Sequence, residues 1–150
     1  MSDQLIGFAI VNGALPDSSA IMRLEKECFA DDAWSILDIT YVLSAPHGIR
    51  FKAVVGEEFA GFAAAEIRHR ERSGWITTIA VMPRFRNLGI GSALLAACEA
   101  QTGYPRSCLS VNINNQTAIS LYLKAGYRKI DVWKDYYQNG DDAIIMEKIL

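Results

Sequence analysis

Long hydrophobic runs, paired cysteines and an excess of basic residues are all missing from this sequence. No stretch reaches the roughly eighteen apolar residues that a membrane-spanning helix needs, and the N-terminus lacks the basic region and apolar core of a signal peptide. The three cysteines show no CxxC spacing, which fits a reducing compartment. Cys28 and Cys98 lie on apolar helical faces, where we expect small buried side chains. The sequence therefore predicts a cytoplasmic protein with no membrane partner.

Charge and the absence of known catalytic signatures exclude further classes of protein. A net charge of −2 at pH 7 argues against nucleic-acid binding, which usually needs a basic surface. HExxH and Ser-His-Asp patterns are absent, and the two histidines, His47 and His69, have no partner pattern. We therefore expect neither a metal site nor a hydrolase. GxxxxGK[ST] and a GxGxxG followed by an acidic residue about twenty positions on are also missing.

Size and hydrophobic patterning predict a single domain over residues 1–150. Hydrophobic residues make up 51% of the chain, and no linker, repeat or low-complexity segment interrupts it. The periodicity predicts the order β-α-α-β-β-β-α-β-α-β-β, which indicates a mixed, mainly antiparallel sheet of α/β (α+β) class with helices on both faces. Strands are expected near residues 5–11, 49–55, 60–69, 74–81, 106–113, 127–134 and 142–149. Helices are expected near residues 18–29, 34–44, 89–102 and 115–125.

The segment Val81–Leu95, VMPRFRNLGIGSALL, carries the strongest local signal. It follows a buried strand, which Pro83 ends because proline has no N–H to donate to a sheet. Gly89 and Gly91 then open an apolar helix, whose free N–H groups and positive dipole end suit a phosphate. Arg84 and Arg86 add positive charge beside the start of this helix. Taken alone, the glycines are equally compatible with a tight turn.

A second segment, residues 109–127, reads LSVNINNQTAISLYLKAGY. Its first residues alternate between apolar and polar as a strand should. Asn114 or Asn115 is a suitable N-cap, and apolar residues then recur at helical spacing. Gly126 ends the helix as a C′ residue. The segment therefore predicts another strand followed by a helix.

Together the two segments resemble the GCN5-related N-acetyltransferase (GNAT) superfamily. The acetyl-CoA motif of that family, V-x-P-x-x-[RQ]-x-x-G-[IL]-G, is matched by Val81, Pro83, Arg86, Gly89, Ile90 and Gly91. Its later motif, N-x-x-A-x-x-L-Y-x-x-x-G-[FY], is matched by Asn115, Ala118, Leu121, Tyr122, Gly126 and Tyr127. Residues 27–35 and 134–148 resemble the branch that acetylates protein N-termini, which includes ribosomal-protein-alanine acetyltransferases and N-alpha-acetyltransferases.

The resemblance implies a fold and a cofactor. We expect one GNAT domain with about seven strands, splayed in the middle, and about four helices. The splay should open between the strand ending at Val81 and the strand beginning at Arg106, and it should admit the pantetheine arm of acetyl-CoA. The implied cofactor-binding residues are Ile79, Ala80, Val81, Arg86, Asn87, Leu88, Gly89, Ile90, Gly91, Ser92, Asn115 and Tyr122.

The resemblance also implies roles for individual side chains. Tyr122 is expected to protonate the leaving thiolate; by periodicity alone it would be a core tyrosine. Asn115 is expected to contact the cofactor, or to serve only as a helix N-cap. A backbone N–H near Ala80 or Val81 is expected to stabilise the oxyanion. The substrate groove is expected to be lined by Phe29 and Trp34 on one side and by Tyr136 and Tyr137 on the other, with peripheral core packing as the alternative.

The general base is where the sequence departs from the family. The positions that carry glutamate in the bacterial enzymes, or a histidine and tyrosine pair in one eukaryotic branch, read Ser110 and Trp75 here. Neither is a base near neutral pH. Other candidates are Glu27, Asp31, Asp32, Glu66 and Asp135. Roughly a tenth of an α-amine is neutral near pH 7, against about one part in a thousand of a lysine, so the missing base favours an α-amine acceptor.

We therefore expect an acetyl-CoA-dependent N-acetyltransferase that acts by direct transfer in a ternary complex. The expected acceptor is the N-terminal α-amine of a protein or peptide, with ribosomal proteins among the candidates, and the expected state is a monomer or homodimer. Two alternatives stay open: an acetyltransferase for a small amine, and a non-catalytic acyl-CoA-binding protein.

Overall fold

The computed structural model describes residues 7–29, 41–44 and 48–150, and within them the chain forms one seven-stranded sheet. The strands are β1 Ala9–Asn12, β2 Ile49–Val55, β3 Glu58–Arg68, β4 Ser73–Val81, β5 Arg106–Asn112, β6 Arg128–Trp133 and β7 Ala143–Ile149. The helices are α1 Ser18–Phe29, α2 Ile90–Gln101 and α3 Gln116–Lys124, and residues 41–44 are also helical.

These elements confirm the predicted fold class and most of the predicted boundaries. The predicted helix near 34–44 falls outside the described residues except for 41–44. The first strand is a correction, because it begins at Ala9 although residues 7 and 8 were expected within it. In the β1–β2 register Ala9 lies opposite Val54, and β2 ends one residue later, before the turn at Gly56. Residues 7 and 8 therefore have almost no strand to pair with.

The strands follow the order β1-β2-β3-β4-β5-β7-β6. Every neighbouring pair is antiparallel except β4 and β5, which run parallel. Short turns join β2 to β3 and β3 to β4 as antiparallel neighbours, whereas α2 links the parallel pair β4 and β5. The predicted mixed and mainly antiparallel sheet is confirmed.

β4 and β5 pair only briefly before they diverge. Their register covers Gly74–Ile76 opposite Ser107–Leu109, and β5 continues along β7 instead. On its other edge β4 stays paired with β3, where the Met82 amide donates to the Ala60 carbonyl across 2.8 Å. Because hydrogen-bonding direction alternates along a strand, the main-chain groups of Ile79 and Val81 point away from β3 and into the opening.

Helices cover both faces of the sheet, and alanines in β3 make this possible. On one face Leu94 and Cys98 of α2 belong to a core with Ala63 and Ala65, together with residues of β2, β5 and α3. On the other face Ile21 and Leu24 of α1 pack in a core with Ala64. Small side chains on both faces of β3 let the helices approach closely, so β3 is buried on both sides.

No helix among residues 7–29, 41–44 and 48–150 is long and apolar enough to cross a membrane.

Candidate functional site

A cleft of about 1060 Å³ opens where β4 and β5 diverge. Its walls come from the end of β4, the turn that follows it, the start of α2, the end of β5, the length of α3 and one residue of α1. The predicted cofactor-binding residues that line it are Ile79, Ala80, Val81, Arg86, Asn87, Gly89, Ile90, Gly91, Ser92, Asn115 and Tyr122. The remaining one, Leu88, is 37% exposed and lies outside the lining.

The turn between β4 and α2 is shaped by proline, a buried phenylalanine and two positive backbone dihedrals. Pro83–Phe85 forms a single 3-10 turn, in which the Phe85 amide donates to the Met82 carbonyl across 2.9 Å. The Phe85 side chain is buried and anchors the turn in the core. Asn87 and Gly89 then take φ values of 64° and 87°, which turn the chain back into α2.

The first turn of α2 is left without a side-chain cap. Gly89 occupies the N-cap position and offers no side-chain acceptor, so no cap hydrogen bond forms there. The first N–H groups of α2 therefore lack the partner that a serine or aspartate would supply. A Cβ on Gly91 would approach the Leu121 side chain of α3 to 3.3 Å, so glycine keeps the cleft open at this turn. The arrangement suits an anionic group.

Arg86 is the positive charge of the turn that faces the cleft. Its Nε donates to the Val81 carbonyl across 3.2 Å, and its Nη2 donates to Cys28 Sγ across 3.5 Å. Arg84 lies elsewhere: its guanidinium pairs with Glu58 at 3.4 Å and is 61% exposed. Of the two arginines in this turn, Arg86 is the one that lines the cleft.

Cys28 corrects a sequence expectation. Cys98 is fully buried as predicted, whereas Cys28 is only half-buried and lines the cleft, with Sγ 3.6 Å from the Val81 carbonyl oxygen. Helical periodicity places Cys28 on the inward face of α1, but it cannot show that this end of α1 lies over the open end of β4. Burial raises the pKa of the Cys28 thiol, and the hydrogen bond from Arg86 only partly offsets the rise.

Tyr122 brings a buried phenol into the cleft. It projects from α3, is 6% exposed, and meets the Tyr127 ring edge to face at a centroid distance of 5.9 Å. The Tyr127 hydroxyl is held by Ser107 across 2.7 Å. Across the described part of the chain, the Tyr122 hydroxyl has no hydrogen-bond partner. Burial raises the pKa of Tyr122, with the nearby Tyr137 contributing, so the phenol stays protonated near neutral pH.

Asn115 has the N-cap role that was one of its two expected roles. Its Oδ1 accepts from the Ala118 amide across 3.1 Å at the start of α3, and the residue also lines the cleft. Asn112, which sequence reasoning did not single out, donates to Asp141 across 3.0 Å and so ties the end of β5 to the loop between β6 and β7. No motif marks this contact, because it joins segments far apart in sequence.

No carboxylate lines the cleft within residues 7–29, 41–44 and 48–150. Glu66 instead accepts from Arg68 across 2.8 Å, and Glu27 and Asp135 are exposed. Asp31 and Asp32 lie outside the described residues. Ser110 lies in the middle of β5, opposite Ile145 of β7. The missing base that the sequence predicts at Ser110 and Trp75 is therefore not replaced by another described carboxylate in the cleft.

One buried carboxylate was missed by the sequence reasoning. Glu25 of α1 is 1% exposed and accepts a hydrogen bond from the Thr78 hydroxyl of β4 across 3.0 Å. The signal was present, because Ile21, Leu24 and Glu25 recur at the helical spacing that marks the inward face of α1. Its hydrogen bond helps to hold α1 against β4 beside the cleft.

Four aromatic side chains form a continuous series, the aromatic row, on β4, β6 and the β6–β7 loop. Trp75 and Trp133 stack at 6.1 Å with an interplanar angle of 18°, Trp133 meets Tyr136 at 5.4 Å, and Tyr136 meets Tyr137 at 5.0 Å. Tyr137 in turn influences the ionisation of Tyr122. The predicted groove residue Trp34 and the side chain of Phe29 fall outside what the structure describes.

No cluster of three or more histidine, cysteine, aspartate or glutamate residues that could hold a metal occurs in the described part of the chain.

Comparison with known proteins gives consistent matches. The model of the Acetyltransferase (GNAT) family matches residues 18–127. An uncharacterized N-acetyltransferase of Methanocaldococcus jannaschii is 38% identical over 136 residues, which is 88% of this chain and 85% of that protein. An N-alpha-acetyltransferase of Sulfurisphaera tokodaii is 37% identical over 83 residues, but the alignment covers only 50% of this chain and 47% of that protein.

The chain thus spans about half the length of archaeal N-alpha-acetyltransferases that it matches. Among solved structures, the ribosomal-protein-S18-alanine N-acetyltransferase from Escherichia coli has a TM-score of 0.84 at 25% identity, covering 95% of this chain and 94% of that chain.

Proposed function

Because this chain belongs to the acetyltransferase (GNAT) family, we propose that it transfers the acetyl group of acetyl-CoA to the N-terminal α-amine of a protein or peptide. The family membership confirms the predicted acyltransferase class and acetyl-CoA as its cofactor. The observation that carries the proposal is the cleft at the β4–β5 divergence, which places an uncapped helix start, free strand backbone and the buried Tyr122 phenol side by side. We also propose that residues 1–150 act as one domain.

The cleft fits coenzyme A in size and in chemistry. Its volume of about 1060 Å³ is at the upper end of ordinary small-molecule sites, as a cofactor of this length requires. The N–H groups at the start of α2 and the Arg86 guanidinium suit the pyrophosphate. The main-chain groups of Ile79 and the N–H of Val81 point into the opening and suit the amides of the pantetheine arm in the manner of an added strand, whereas the Val81 carbonyl is already engaged by Arg86.

Acetyl-CoA supplies an activated thioester, and the protein has to orient it and manage the protons. Tyr122 is suited to give a proton to a leaving thiolate, because burial keeps its phenol in the protonated form. A backbone N–H at Ala80 or Val81 is the proposed oxyanion donor, with the Val81 amide favoured because it points away from β3.

The acceptor amine is proposed to lose its proton to solvent and to react as the neutral amine, without a strong base in the protein. No described carboxylate lines the cleft, and Ser110 and Trp75 stand where relatives carry a base. An α-amine with a pKa near 8 is already about one tenth neutral at neutral pH, whereas deprotonation of a lysine with a pKa near 10.4 costs about 3 kcal/mol more. The absence of a described base therefore supports an α-amine acceptor over a lysine side chain.

Direct transfer is supported by the state of Cys28, the cysteine that lines the cleft. An acyl-cysteine route needs a thiolate, and burial raises the pKa of this thiol above its ordinary value. The other two cysteines, Cys98 and Cys108, are fully buried away from the cleft. The acetyl group therefore passes to the amine within a ternary complex.

Relatives support the acceptor class. The S. tokodaii relative is an N-alpha-acetyltransferase, and the E. coli structural neighbour is a ribosomal-protein-S18-alanine N-acetyltransferase. A protein or peptide N-terminus, including that of a ribosomal protein, is the corresponding substrate proposed here.

The test is release of free thiol from acetyl-CoA by the purified protein in the presence of different amines. Peptides with free N-termini should support release, and the same peptides with a blocked N-terminus should not. Release with polyamines or amino-sugars but not with peptides would favour a small-molecule acetyltransferase instead. Tight binding of acetyl-CoA with no release for any amine would contradict the proposal and favour a non-catalytic acyl-CoA-binding protein.

A further inference from the structure

We propose that a network of four side chains behind the cleft positions the Tyr122 phenol for proton transfer to the leaving thiolate. This tyrosine network consists of Tyr127, Ser107, Glu99 and Lys148. All four are positioning residues, because they lie outside the cleft lining and act only through Tyr122. The inference rests on the proposed function and on the role of Tyr122 in it.

Tyr122 needs an outside constraint, because its own hydroxyl supplies none. In the described part of the chain this hydroxyl makes no hydrogen bond, so its direction is set by the packing of the ring. A proton donor has to lie about 3 Å from the atom that takes the proton, and a misplacement of about 1 Å can cost roughly a hundredfold in rate. The side chains around the Tyr122 ring therefore have to hold its orientation.

Tyr127 holds the Tyr122 ring from the side of the core. The two buried rings meet edge to face, with centroids 5.9 Å apart and an interplanar angle of 64°, which is a preferred geometry for an aromatic pair. The Tyr127 amide also donates to the Tyr122 carbonyl across 3.0 Å, so the backbone of the pair is fixed as well as the rings. A tilt of the Tyr127 ring would therefore be passed directly to Tyr122.

Polar groups from three other elements converge on Tyr127. Its hydroxyl donates to Glu99 of α2 across 3.5 Å and, with its single proton used there, accepts from the fully buried Ser107 of β5 across 2.7 Å. Glu99 in turn pairs with Lys148 of β7 at 2.9 Å. The Lys148 ammonium lies 5.9 Å from the centroid of the Tyr127 ring. The ring is thus held both at its hydroxyl and at its face.

The tyrosine network contains more polar chemistry than filling the core requires. A phenylalanine at position 127 would give Tyr122 the same aromatic contact without a hydroxyl to bury. Instead a phenol, a serine hydroxyl, a carboxylate and an ammonium meet there, and the Glu99 side chain is only 10% exposed. Polar groups that satisfy one another in a core favour one arrangement over its alternatives. One defined arrangement behind Tyr122 is what a positioned proton donor needs.

The first experiment measures kcat with a peptide acceptor and the Kd for acetyl-CoA in two variants of Tyr127. Tyr127→Phe keeps the ring and loses only the hydroxyl contacts, so we expect kcat to fall about fivefold at an unchanged Kd. Tyr127→Leu also removes the ring and should lower kcat by about twentyfold. An unaltered kcat in both folded variants would overturn the inference. A Kd that rose in step with the loss of kcat would also overturn it, because the cleft itself would then be disturbed.

A double variant tests whether the tyrosine network acts through Tyr122. In a Tyr122→Phe protein there is no phenol proton left to position, so adding Tyr127→Phe should change the residual kcat by less than about twofold. If Tyr127→Phe lowered kcat by its full factor in that background too, the network would be structural and the inference wrong. An unaltered kcat in Tyr122→Phe alone would overturn both this inference and the assigned proton donor. No turnover of any peptide by the unsubstituted protein would instead contradict the proposed function.

The ion pair at the outer end of the tyrosine network has a matched control elsewhere in the fold. Lys148 and Glu99 pair at 2.9 Å, with side chains 27% and 10% exposed. Lys52 and Asp17 pair at 2.8 Å outside the cleft lining, with side chains 26% and 15% exposed. Lys148→Met and Lys52→Met should destabilise the fold to a similar extent, but only Lys148→Met should lower kcat, by about threefold. Equal kcat values in the two variants would overturn the part of the inference that concerns the ion pair.

Discussion

Arg86 donates its Nε–H to the main-chain carbonyl oxygen of Val81 across 3.2 Å. This bond joins the end of β4 to the turn that leads into α2, so the strand that lines the cleft and the proposed phosphate site are tied together by one guanidinium. Its second contact, to Cys28 at 3.5 Å, adds α1 to the same junction. Because of these contacts, we expect the loss of the Arg86 side chain to weaken acetyl-CoA binding more than the loss of any other side chain in the turn.

Arg86→Ala should raise the Kd for acetyl-CoA by about tenfold, since a charge-assisted contact to phosphate is lost together with the Val81 contact. The matched control is Arg84→Ala, which removes an equal charge two residues away from a side chain that faces solvent and pairs with Glu58. Calorimetric titration of both variants measures the effect. If both variants weakened acetyl-CoA binding equally, the effect would come from the overall charge of the turn and not from a specific contact of Arg86.

Gly89→Ala should destabilise the protein by about 1 kcal/mol and also weaken acetyl-CoA binding, because Gly89 has a φ of 87° and begins α2 at the cleft. Gly103→Ala is the control for strain alone, since Gly103 has a φ of 72° with open space around it and lies outside the cleft. Both variants should unfold at a lower denaturant concentration than the unsubstituted protein. If Gly103→Ala weakened acetyl-CoA binding as much as Gly89→Ala, the effect could not be ascribed to the turn.

Tyr122→Phe should lower kcat by about a hundredfold and leave the Kd for acetyl-CoA nearly unchanged, because only the proton donor is removed while the buried ring stays. Tyr104→Phe is the matched control, since its hydroxyl contacts His69 away from the cleft. Stopped-time assays at saturating acetyl-CoA give kcat. An unaltered kcat in Tyr122→Phe would remove this residue from the mechanism.

The pH dependence of kcat/KM should reflect deprotonation of the substrate amine at the acidic side and deprotonation of the Tyr122 phenol at the alkaline side. With a peptide α-amine, kcat/KM should rise up to about pH 8, since the neutral amine is the reactive form. Burial raises the pKa of Tyr122 above its ordinary value of 10.0, so the rate should fall only above that pH. A rate that began to fall below pH 9 would indicate a different proton donor.

The comparison between sequence and structure shows which features short-range patterns can predict. The strand and helix boundaries follow from periodicity, Pro83 and the glycines, which act locally, whereas the splay between β4 and β5 was expected only from the family resemblance. Cys28 was misplaced because its position depends on how α1 docks over the end of β4. The stacking of Trp75 on Trp133 joins residues 58 positions apart on strands that are not adjacent, and no periodic pattern carries such a contact.

The most direct test of the account is to locate the acetyl group on a hexapeptide that carries both a free N-terminus and an internal lysine. After incubation with the protein and acetyl-CoA at pH 7.5, fragmentation by mass spectrometry separates the two positions. We expect the acetyl group on the α-amine, because no described carboxylate lines the cleft to deprotonate a lysine. Acetylation of the lysine with a free N-terminus left unmodified would contradict the account.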